Sequence, residues 1–488
     1  MGEKYCDEAH PYAKDIDIFG KGSLFELLCN TRTRSGEETL ANWLLIPGTP
    51  DIIRARQEAV AELCEKLDFR VDIASLGEDI PSEVSPQTLE RWGTAPSTLN
   101  HRLTRVIAFV LSFLPMIGIV LWINGFGIRG PVIFLSINGV FALFLRKRVV
   151  RVILAANQIR KDLTLFSHIL KRIEKEEFVS SRLAHLKETL NVEGTEPSKR
   201  IDRLHTLIVW LDARRFLMFL PFAGMFLWAT QFAFAIEAWR LRSGALVKKW
   251  IDALAEIEAL CSIAGYAYEH ADDPFPEIVE NGLCFDAKGI GHPLLPEHRC
   301  VKNDLQLNND TRLLIVSGSN ASGKSTLLRT VGTNAVLAFA GAPVRAHRLR
   351  ISPMALGASI RIQDNLQAGA SSFYAEIKRI RQLMGISDGA PPLLFVIEEI
   401  LHGTNSHDRL IGAEAILIKL LEKGAIGLIT THDLALTNLT HKLSPHAINV
   451  HFECYLNNGQ MEFDYILRQG IVGKGNAIEL MRSVGFEI

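Results

Sequence analysis

One glycine-rich segment carries the residue types that grip a phosphate group. Residues 318–326 read Gly-Ser-Asn-Ala-Ser-Gly-Lys-Ser-Thr and follow the apolar run at 313–316. A strand, a glycine-rich turn and a helix start in that order point successive backbone N–H groups at a phosphate, with the positive end of the helix dipole behind them. The segment therefore predicts a P-loop that binds ATP.

Each fixed position of this motif has a predicted role. Lys324 reaches the β- and γ-phosphates, the Ser325 hydroxyl ligates Mg²⁺, and Gly318 and Gly323 allow a close backbone approach. A glycine-rich turn without a ligand is the weaker alternative, because every fixed position matches in the right context. The residues predicted to bind the nucleotide here are Gly318, Ser319, Asn320, Ala321, Ser322, Gly323, Lys324, Ser325 and Thr326.

Acidic side chains follow a second apolar run. Residues 393–397 are continuously apolar and of strand length, and they end in Glu398 and Glu399. We expect this strand to lie beside the P-loop strand, where carboxylates meet the metal and the attacking water. Glu398 is then predicted to hold Mg²⁺ together with Ser325, and Glu399 to polarise the water.

A histidine follows a third apolar run, at 426–430. An imidazole at that strand end can sense the γ-phosphate, which makes His432 a predicted catalytic residue beside Glu399 and Lys324. The alternative is a histidine that is satisfied at the surface or in the core.

Composition bounds the class of protein. The 488 residues suffice for about three domains and carry a net charge of −1, so no global charge attracts nucleic acid. The seven cysteines are scattered, without a C-x-x-C pair. They indicate reduced thiols in a cytosol-facing chain rather than disulfides or a zinc site.

The pattern along the chain predicts a helical part followed by an α/β part. Apolar residues recur at helical spacing before residue 272, and short apolar strands alternate with helices after it. The predicted domains are a helical core at 1–100, an apolar hairpin at 101–150, a helical lever region at 151–272 and a P-loop ATPase domain at 273–488.

Two apolar runs, 106–128 and 130–145, are separated only by Arg129. The first is long enough to span a bilayer, and the second is marginal. Basic residues flank both outer ends, as expected on the cytoplasmic side: Arg102, Arg105, Arg146, Lys147, Arg148 and Arg151. The runs predict a transmembrane hairpin that attaches the protein to a membrane, with a cytoplasmic ATPase domain. The alternative is a hairpin packed in a protein interior or a dimer interface of a cytoplasmic protein.

A third run, 216–236, holds 21 residues without a charge. If the N-terminal helices and the ATPase domain share one side, the number of crossings is even, and a third crossing is excluded. We expect a helix that lies against the membrane or the hairpin, with a buried core helix as the alternative.

The ordered motifs resemble the ATPase motifs of the MutS mismatch-repair family. The matching segments are 317–329, 364–376, 398–406 and 430–433, with Gly291-His292-Pro293 upstream and 470–485 at the end. The resemblance is strongest over 275–488, and residues 15–70 resemble the start of the family's helical core. Glu398 stands where the family usually has aspartate. We expect no mismatch-recognition domain before the core and no nuclease extension after the ATPase domain.

The resemblance implies a homodimer in which Ser371 or Ser372 reaches the partner's γ-phosphate, and a helical core that passes closure to double-stranded DNA. From the residues alone, the 364–373 loop is also compatible with an ordinary surface loop and a helix N-cap. The predicted function is a MutS-like ATPase that uses ATP and Mg²⁺ and acts in mismatch repair on mismatched or branched duplex DNA. The alternative is a membrane-anchored P-loop ATPase that acts on a protein or lipid partner without binding DNA.

Overall fold

The computed structural model describes residues 1–78, 86–99, 102–191, 194–215, 217–360, 372–457 and 460–472. Two compact units emerge. Unit 1 comprises residues 1–29, 39–65 and 260–488, and unit 2 comprises residues 30–38 and 66–259. This division groups the chain differently from the four predicted domains.

Most of the described chain before residue 270 is helical. The helices are α1 (Leu24–Leu28), α2 (Arg34–Leu45), α3 (Pro50–Glu65), α4 (Leu67–Glu78), α5 (Pro86–Thr94), α6 (Arg102–Leu121), α7 (Arg129–Lys175), α8 (Ser181–Leu190), α9 (Pro197–Asp212), α10 (Leu220–Met225), α11 (Trp228–Glu269), α12 (Lys324–Ala340), α13 (Ser372–Ile386), α14 (Ser406–Glu422), α15 (Leu434–Thr437) and α16 (Leu439–Lys442).

The strands of the described residues all lie in unit 1. They are β1 (Glu277–Ile278), β2 (Cys284–Ile290), β3 (Asn303–Asn308), β4 (Leu313–Ser317), β5 (Arg348–Ile351), β6 (Ala355–Ser359), β7 (Leu393–Ile397), β8 (Ile426–Thr431), β9 (Ala447–Asn457) and β10 (Gln460–Gln469). The predicted combination of a helical part with an α/β part is confirmed.

The larger sheet has six strands in the order β10-β9-β4-β8-β7-β6. All neighbours are parallel except β9 and β10, which form an antiparallel hairpin. Every residue of β4, β7 and β8 is buried, which is typical of strands covered on both faces. A smaller mixed sheet has the order β1-β5-β2-β3.

The prediction that β7 lies directly beside β4 is wrong. β8 lies between them and pairs in parallel with both. The carboxyl ends of β4, β7 and β8 nevertheless share one edge of the sheet, so the residues that follow them still converge there.

The N-terminal segment packs within unit 1. The Tyr12 hydroxyl lies 2.9 Å from Leu44 O and 2.7 Å from Leu45 O. The buried Asp15 carboxylate accepts a hydrogen bond from Ile360 N at 2.7 Å and lies 3.5 Å from Arg379. These contacts explain why residues 1–29 and 39–65 belong to the unit that contains the sheet.

Unit 2 contains one helix contact without intervening side chains. A Cβ on Gly93 would lie 2.4 Å from Gly244 O, and a Cβ on Gly244 would lie 2.3 Å from Gly93 O. Helices α5 and α11 therefore touch backbone to backbone. Beside this contact, the buried Arg240 pairs with Glu237 at 2.8 Å and donates to Trp92 O at 3.1 Å.

The two apolar runs form a helical hairpin in unit 2, made of α6, the tip at 122–128 and the start of α7. Small residues of α6 are buried: Ala108, Ser112, Pro115 and Gly118. A Cβ on Gly118 would lie 3.0 Å from the backbone of Pro131 in α7. We call residues 102–148 the apolar hairpin. Beyond it, α7 continues without a break to Lys175.

The outer faces of the apolar hairpin carry large apolar side chains. On α6, Phe113 is 46% exposed and Phe109 59%, and on α7, Val140 is 69% exposed and Phe144 74%. Within the described residues, one helix, Arg102–Phe126, is long and apolar enough to cross a bilayer, and 22% of its apolar window is buried.

The third apolar run contacts the apolar hairpin. This agrees with the prediction of a helix that lies against the membrane or the hairpin. The run forms α10 and the first turns of α11. The buried Asn138 of α7 donates to Met225 O at 2.8 Å, and Gln231 donates to Ala108 O of α6 at 2.9 Å.

Candidate functional site

The glycine-rich loop, residues 318–323, connects buried β4 to α12. Its backbone bends through the left-handed region at Ala321 (φ 66°) and Gly323 (φ 101°). At Gly318 a Cβ would lie 2.8 Å from Ser322 Oγ and 3.2 Å from Phe452 O, so a side chain has no room there. Helix α12 begins directly after the loop, and its unpaired N-terminal N–H groups face the loop.

Lys324 is the first residue of α12 and is folded onto the loop. Its Nζ donates to Gly318 O at 2.8 Å and to Ser319 O at 2.7 Å. Burial lowers the pKa of this ammonium group, and the nearby charges of Glu399 and Glu398 oppose that shift. The loop therefore holds a buried cation whose two present acceptors are neutral carbonyls.

Two hydroxyl groups of the loop are also available for a ligand. The Oγ atoms of Ser319 and Ser322 are buried and have no hydrogen-bond partner among the described residues. Buried polar groups are usually paired, so two unpaired hydroxyls beside a buried cation suit an anion. Because the glycine-rich loop has a glycine at position 318, where a Cβ has no room, its backbone can approach a phosphate group closely.

The Ser325 hydroxyl contacts the carboxylate that follows β7. Its Oγ donates to Glu398 Oε1, and Glu398 N donates to Ser359 O at 2.8 Å, which fixes the backbone at this point. A hydroxyl and a carboxylate are hard oxygen ligands, which are the ligands that Mg²⁺ prefers. These two side chains would hold the metal ion.

Glu399 lies between two histidines. His432 Nδ1, after β8, is 3.0 Å from Glu399 Oε1, and His402 Nδ1 is 3.5 Å from Glu399 Oε2. The three groups offer ligand atoms within 4.8 Å of one another, so they could also hold a transition-metal ion. His402 was not assigned a role from sequence, although it belongs to the 398–406 motif.

The turn that presents Glu399 is bent and anchored. Glu399 (φ 47°) and Leu401 (φ 55°) both have the left-handed backbone that non-glycine residues rarely adopt. The buried Glu376 accepts from Leu401 N, and Arg409 donates to Leu401 O at 3.2 Å and to His402 O at 3.1 Å. Such strain persists only where its surroundings hold it, and it concentrates at functional sites.

A cavity of about 630 Å³ opens beside the loop. Lys324, Ser325, Glu398 and Glu399 line one part of it, together with Asn320, Ala321, Gly323 and Thr326. Other lining residues form a wall from four further segments. Its apolar members are Ile290, Leu295, Val301, Phe452 and Tyr465, and Arg299 and Asn303 add polar groups. Sequence reasoning missed this wall, because its residues carry no motif and meet only in the fold.

The segment after β2 holds part of that wall in place. Asn334 of α12 donates to Gly291 O at 2.9 Å and accepts from Arg345 N at 2.8 Å. His292 is buried, and burial lowers its pKa to about 4, with Arg329 contributing. It is therefore a neutral, buried residue of this segment at physiological pH.

Two predicted residues are not placed by the structure. Ser371 lies outside the described residues, and Ser372 begins α13 with its side chain outside them. All other predicted site residues surround or adjoin the cavity, apart from His432, which reaches it through Glu399.

Sequence comparison finds the same C-terminal region. Residues 314–487 match MutS domain V. The DNA mismatch repair protein MutS 2 of Halobacterium salinarum is 30% identical over 238 residues, 48% of this chain and 27% of that protein. The DNA mismatch repair protein MutS of Desulfosudis oleivorans is 33% identical over 240 residues, which are 47% of this chain and 27% of that protein. The endonuclease MutS2 of Thermus thermophilus is 30% identical over 199 residues, which are 39% of this chain and 25% of that protein.

These matches cover about a quarter of each relative's length. The match to MutS domain V includes the glycine-rich loop, the Glu398–Glu399 pair and His432. On this evidence the C-terminal region of the chain, residues 314–487, is a domain of the MutS family.

Proposed function

We propose that the chain is an ATPase of the MutS type. The observation that carries this proposal is the environment of Lys324, a buried cation next to two unpaired hydroxyls at the start of α12. On arrival of ATP, Lys324 exchanges its carbonyl acceptors for phosphate oxygens, and the loop N–H groups complete the cradle. Ser325 and Glu398 hold Mg²⁺, which neutralises phosphate charge.

Glu399 is proposed to orient and polarise the attacking water. Its carboxylate faces the cavity and contacts His432, which follows the neighbouring strand β8. The imidazole restrains the carboxylate and lies where it can respond to the γ-phosphate. Burial of Lys324 strengthens its attraction for phosphate, since electrostatic interactions are stronger away from water.

The apolar wall of the cavity suits the nucleotide base. Leu295 and Val301 offer aliphatic contacts, and Tyr465 packs over Gly323, with its ring 3.1 Å from the position of a Cβ there. An aromatic ring at the edge of the phosphate cradle can stack on a purine. We assign the base to this wall.

The ATPase is proposed to work as a homodimer coupled to double-stranded DNA. Support comes from the family: two relatives are named for DNA mismatch repair, and the resemblance to the family's motifs favours a role for Ser371 or Ser372 at the partner's γ-phosphate. The net charge of −1 means that DNA contact requires a local basic surface.

Salt-dependent DNA binding tests this coupling. Fluorescence anisotropy with labelled matched and mismatched duplexes is expected to show an affinity that falls about tenfold or more between about 50 and 200 mM salt, because phosphate contacts release counterions. Adding ATP should change the affinity of the parent chain but not of Lys324→Ala. Absence of DNA binding at any salt concentration, with or without ATP, would favour the second candidate.

The second candidate is a membrane-anchored P-loop ATPase that acts on a protein or lipid partner. The observation that favours it is the apolar hairpin, whose outer faces expose Phe109, Phe113 and Phe144. Helix α6 is 20 residues long, or about 30 Å, which matches the hydrocarbon thickness of a bilayer. Basic residues flank the open end of the apolar hairpin, as they do on the cytoplasmic side of membrane hairpins. We therefore propose that lipid covers these faces.

Membrane fractionation tests whether lipid covers the outer faces of the apolar hairpin. The parent chain is expected to resist extraction by alkaline carbonate and to require detergent. Phe113→Arg with Ile117→Arg should move it to the soluble fraction, since each central arginine costs about 2.5–3.5 kcal/mol on insertion.

Val71→Arg with Val179→Arg is the matched control, because both residues are exposed outside the hairpin. If carbonate alone releases the parent chain, and the hairpin variant turns a soluble dimer into a monomer, a second copy covers the hairpin instead.

A further inference from the structure

A second cavity, of about 1080 Å³, lies in unit 2 between α9 and α11 and reaches the first turn of α6. Its lining is rich in cations: Arg105, Lys199, Arg200, Arg203 and Arg242. Asp202 is the acidic residue among the lining side chains, and its Oδ1 accepts from Ser167 at 3.2 Å. We call this space the basic cavity. Nothing in the ATPase proposal uses it.

Three of these cations lack an acidic partner. Within the described part of unit 2, no ion pair involves Arg105, Arg203 or Arg242, whereas Lys199 pairs with Glu196 at 2.9 Å. All three side chains are exposed, so water screens their mutual repulsion, and their guanidinium groups are available to an anion that enters the cavity. Guanidinium groups donate two parallel hydrogen bonds to phosphate, which makes them suited to that anion.

The rest of the lining is suited to an amphiphile. Leu207, Ala235 and Ala238 form an apolar strip next to the cations, and Trp239 is fixed there because its Nε1 donates to Arg200 O at 2.7 Å. Thr206 and Ser243 add hydroxyl groups. A soluble anion would use only the polar part, whereas a lipid would use both.

The place of the cavity in the fold points to the same ligand. Arg105 belongs to the first turn of α6, where the exposed apolar residues of the hairpin begin with Leu103 and Val106. The basic cavity therefore lies at the foot of the apolar hairpin. If the hairpin is in a bilayer, this foot is at the level of the lipid headgroups.

We propose that the basic cavity binds the phosphate headgroup of an anionic phospholipid. This rests on the proposed insertion of the apolar hairpin into a bilayer. The arginines contact the phosphate, and the apolar strip contacts the glycerol and the start of the acyl chains. Duplex DNA is less suited to the cavity, because its phosphate backbone has no use for the apolar strip.

Vesicle flotation with the full chain tests the proposal. The parent is compared on phosphatidylcholine vesicles and on vesicles that also contain phosphatidylglycerol. We expect the anionic lipid to strengthen binding about tenfold or more. Arg203→Gln with Arg242→Gln should remove this gain and leave binding to phosphatidylcholine unchanged, because both side chains are exposed and distant in sequence from the hairpin.

Lys171→Gln with Lys175→Gln is the matched control, since these are exposed cations of α7 in the same unit and do not line the cavity. The control should keep the full gain. An equal loss in the control would show that general surface charge attracts the vesicles, and would overturn the proposal.

Other ligands give distinct results. If inorganic phosphate quenches tryptophan fluorescence in the parent but not in the arginine variant, and vesicle binding is equal in both, the cavity serves a soluble anion. If the arginine variant loses duplex DNA binding and keeps the anionic gain, the cavity serves DNA. Either result overturns the proposal.

The same experiment distinguishes failure of membrane attachment from failure of the lipid headgroup site. A parent chain that floats with neither kind of vesicle overturns both proposals. Binding to phosphatidylcholine that Phe113→Arg with Ile117→Arg abolishes, without any gain from phosphatidylglycerol, overturns only the lipid headgroup site.

Discussion

Lys324→Ala is expected to lower the ATPase rate by about 10²-fold or more, because it removes a preorganised charge from the phosphate cradle. Nζ already lies within the loop, 2.8 Å from Gly318 O and 2.7 Å from Ser319 O, so little reorganisation precedes its contact with phosphate. Steady-state phosphate release with saturating Mg²⁺-ATP measures the effect.

Lys419→Ala is the control, since Lys419 is an exposed lysine on α14 in the same unit. It should keep the parent rate. Turnover by Lys324→Ala at the parent rate would mean that the phosphates bind elsewhere.

The same variant tests the two-chain site. It is mixed with a second inactive chain that carries Ser371→Arg and Ser372→Arg. If the serines act on the partner's nucleotide, a mixed dimer places both lesions in one composite site and leaves the other intact, so partial activity returns. Absence of recovery, with mixed dimers demonstrated by cross-linking, would contradict the dimeric site.

Glu399→Gln is expected to preserve ATP binding and slow hydrolysis by about 10²-fold or more, because the amide cannot take a proton from water or polarise it as the carboxylate does. The replacement has nearly the same shape, and the side chain is 25% exposed, so the fold should tolerate it. Titration with a fluorescent ATP analogue measures binding, and single-turnover kinetics measure the chemical step.

Glu422→Gln serves as the control, as an exposed carboxylate at the end of α14. If Glu399→Gln hydrolyses ATP at the parent rate, the water is polarised by another group, and Glu398 is the next candidate.

The strand and the helix start around Lys324 could be predicted from the sequence because their signals are local. A strand, a loop and a helix start occupy about twenty consecutive residues, and their order alone determines where Lys324 and Ser325 lie. The same applies to Glu398, Glu399 and His432, since each follows an apolar strand directly. Strand ends of a parallel sheet meet at one edge whatever the strand order is.

Features that depend on pairing between distant segments could not be predicted. The strand order failed because hydrogen bonding between β4 and β8, more than 100 residues apart, leaves no local pattern. The apolar wall combines Leu295, Val301 and Tyr465, which are ordinary core residues by type. The grouping of residues 1–29 with the sheet depends on Tyr12 and Asp15, whose partners lie 32 to 345 residues away.

The contact between Gly93 and Gly244 has a consequence for the ancestry of unit 2. Any side chain at either position would meet the opposite backbone at 2.3–2.4 Å, so the two sites can change only if α5 and α11 move apart. The match to MutS domain V covers residues 314–487 and does not reach this pair. Homologous chains that inherited this helix crossing should therefore have kept both glycines together, while those that lost one should have lost the crossing as well.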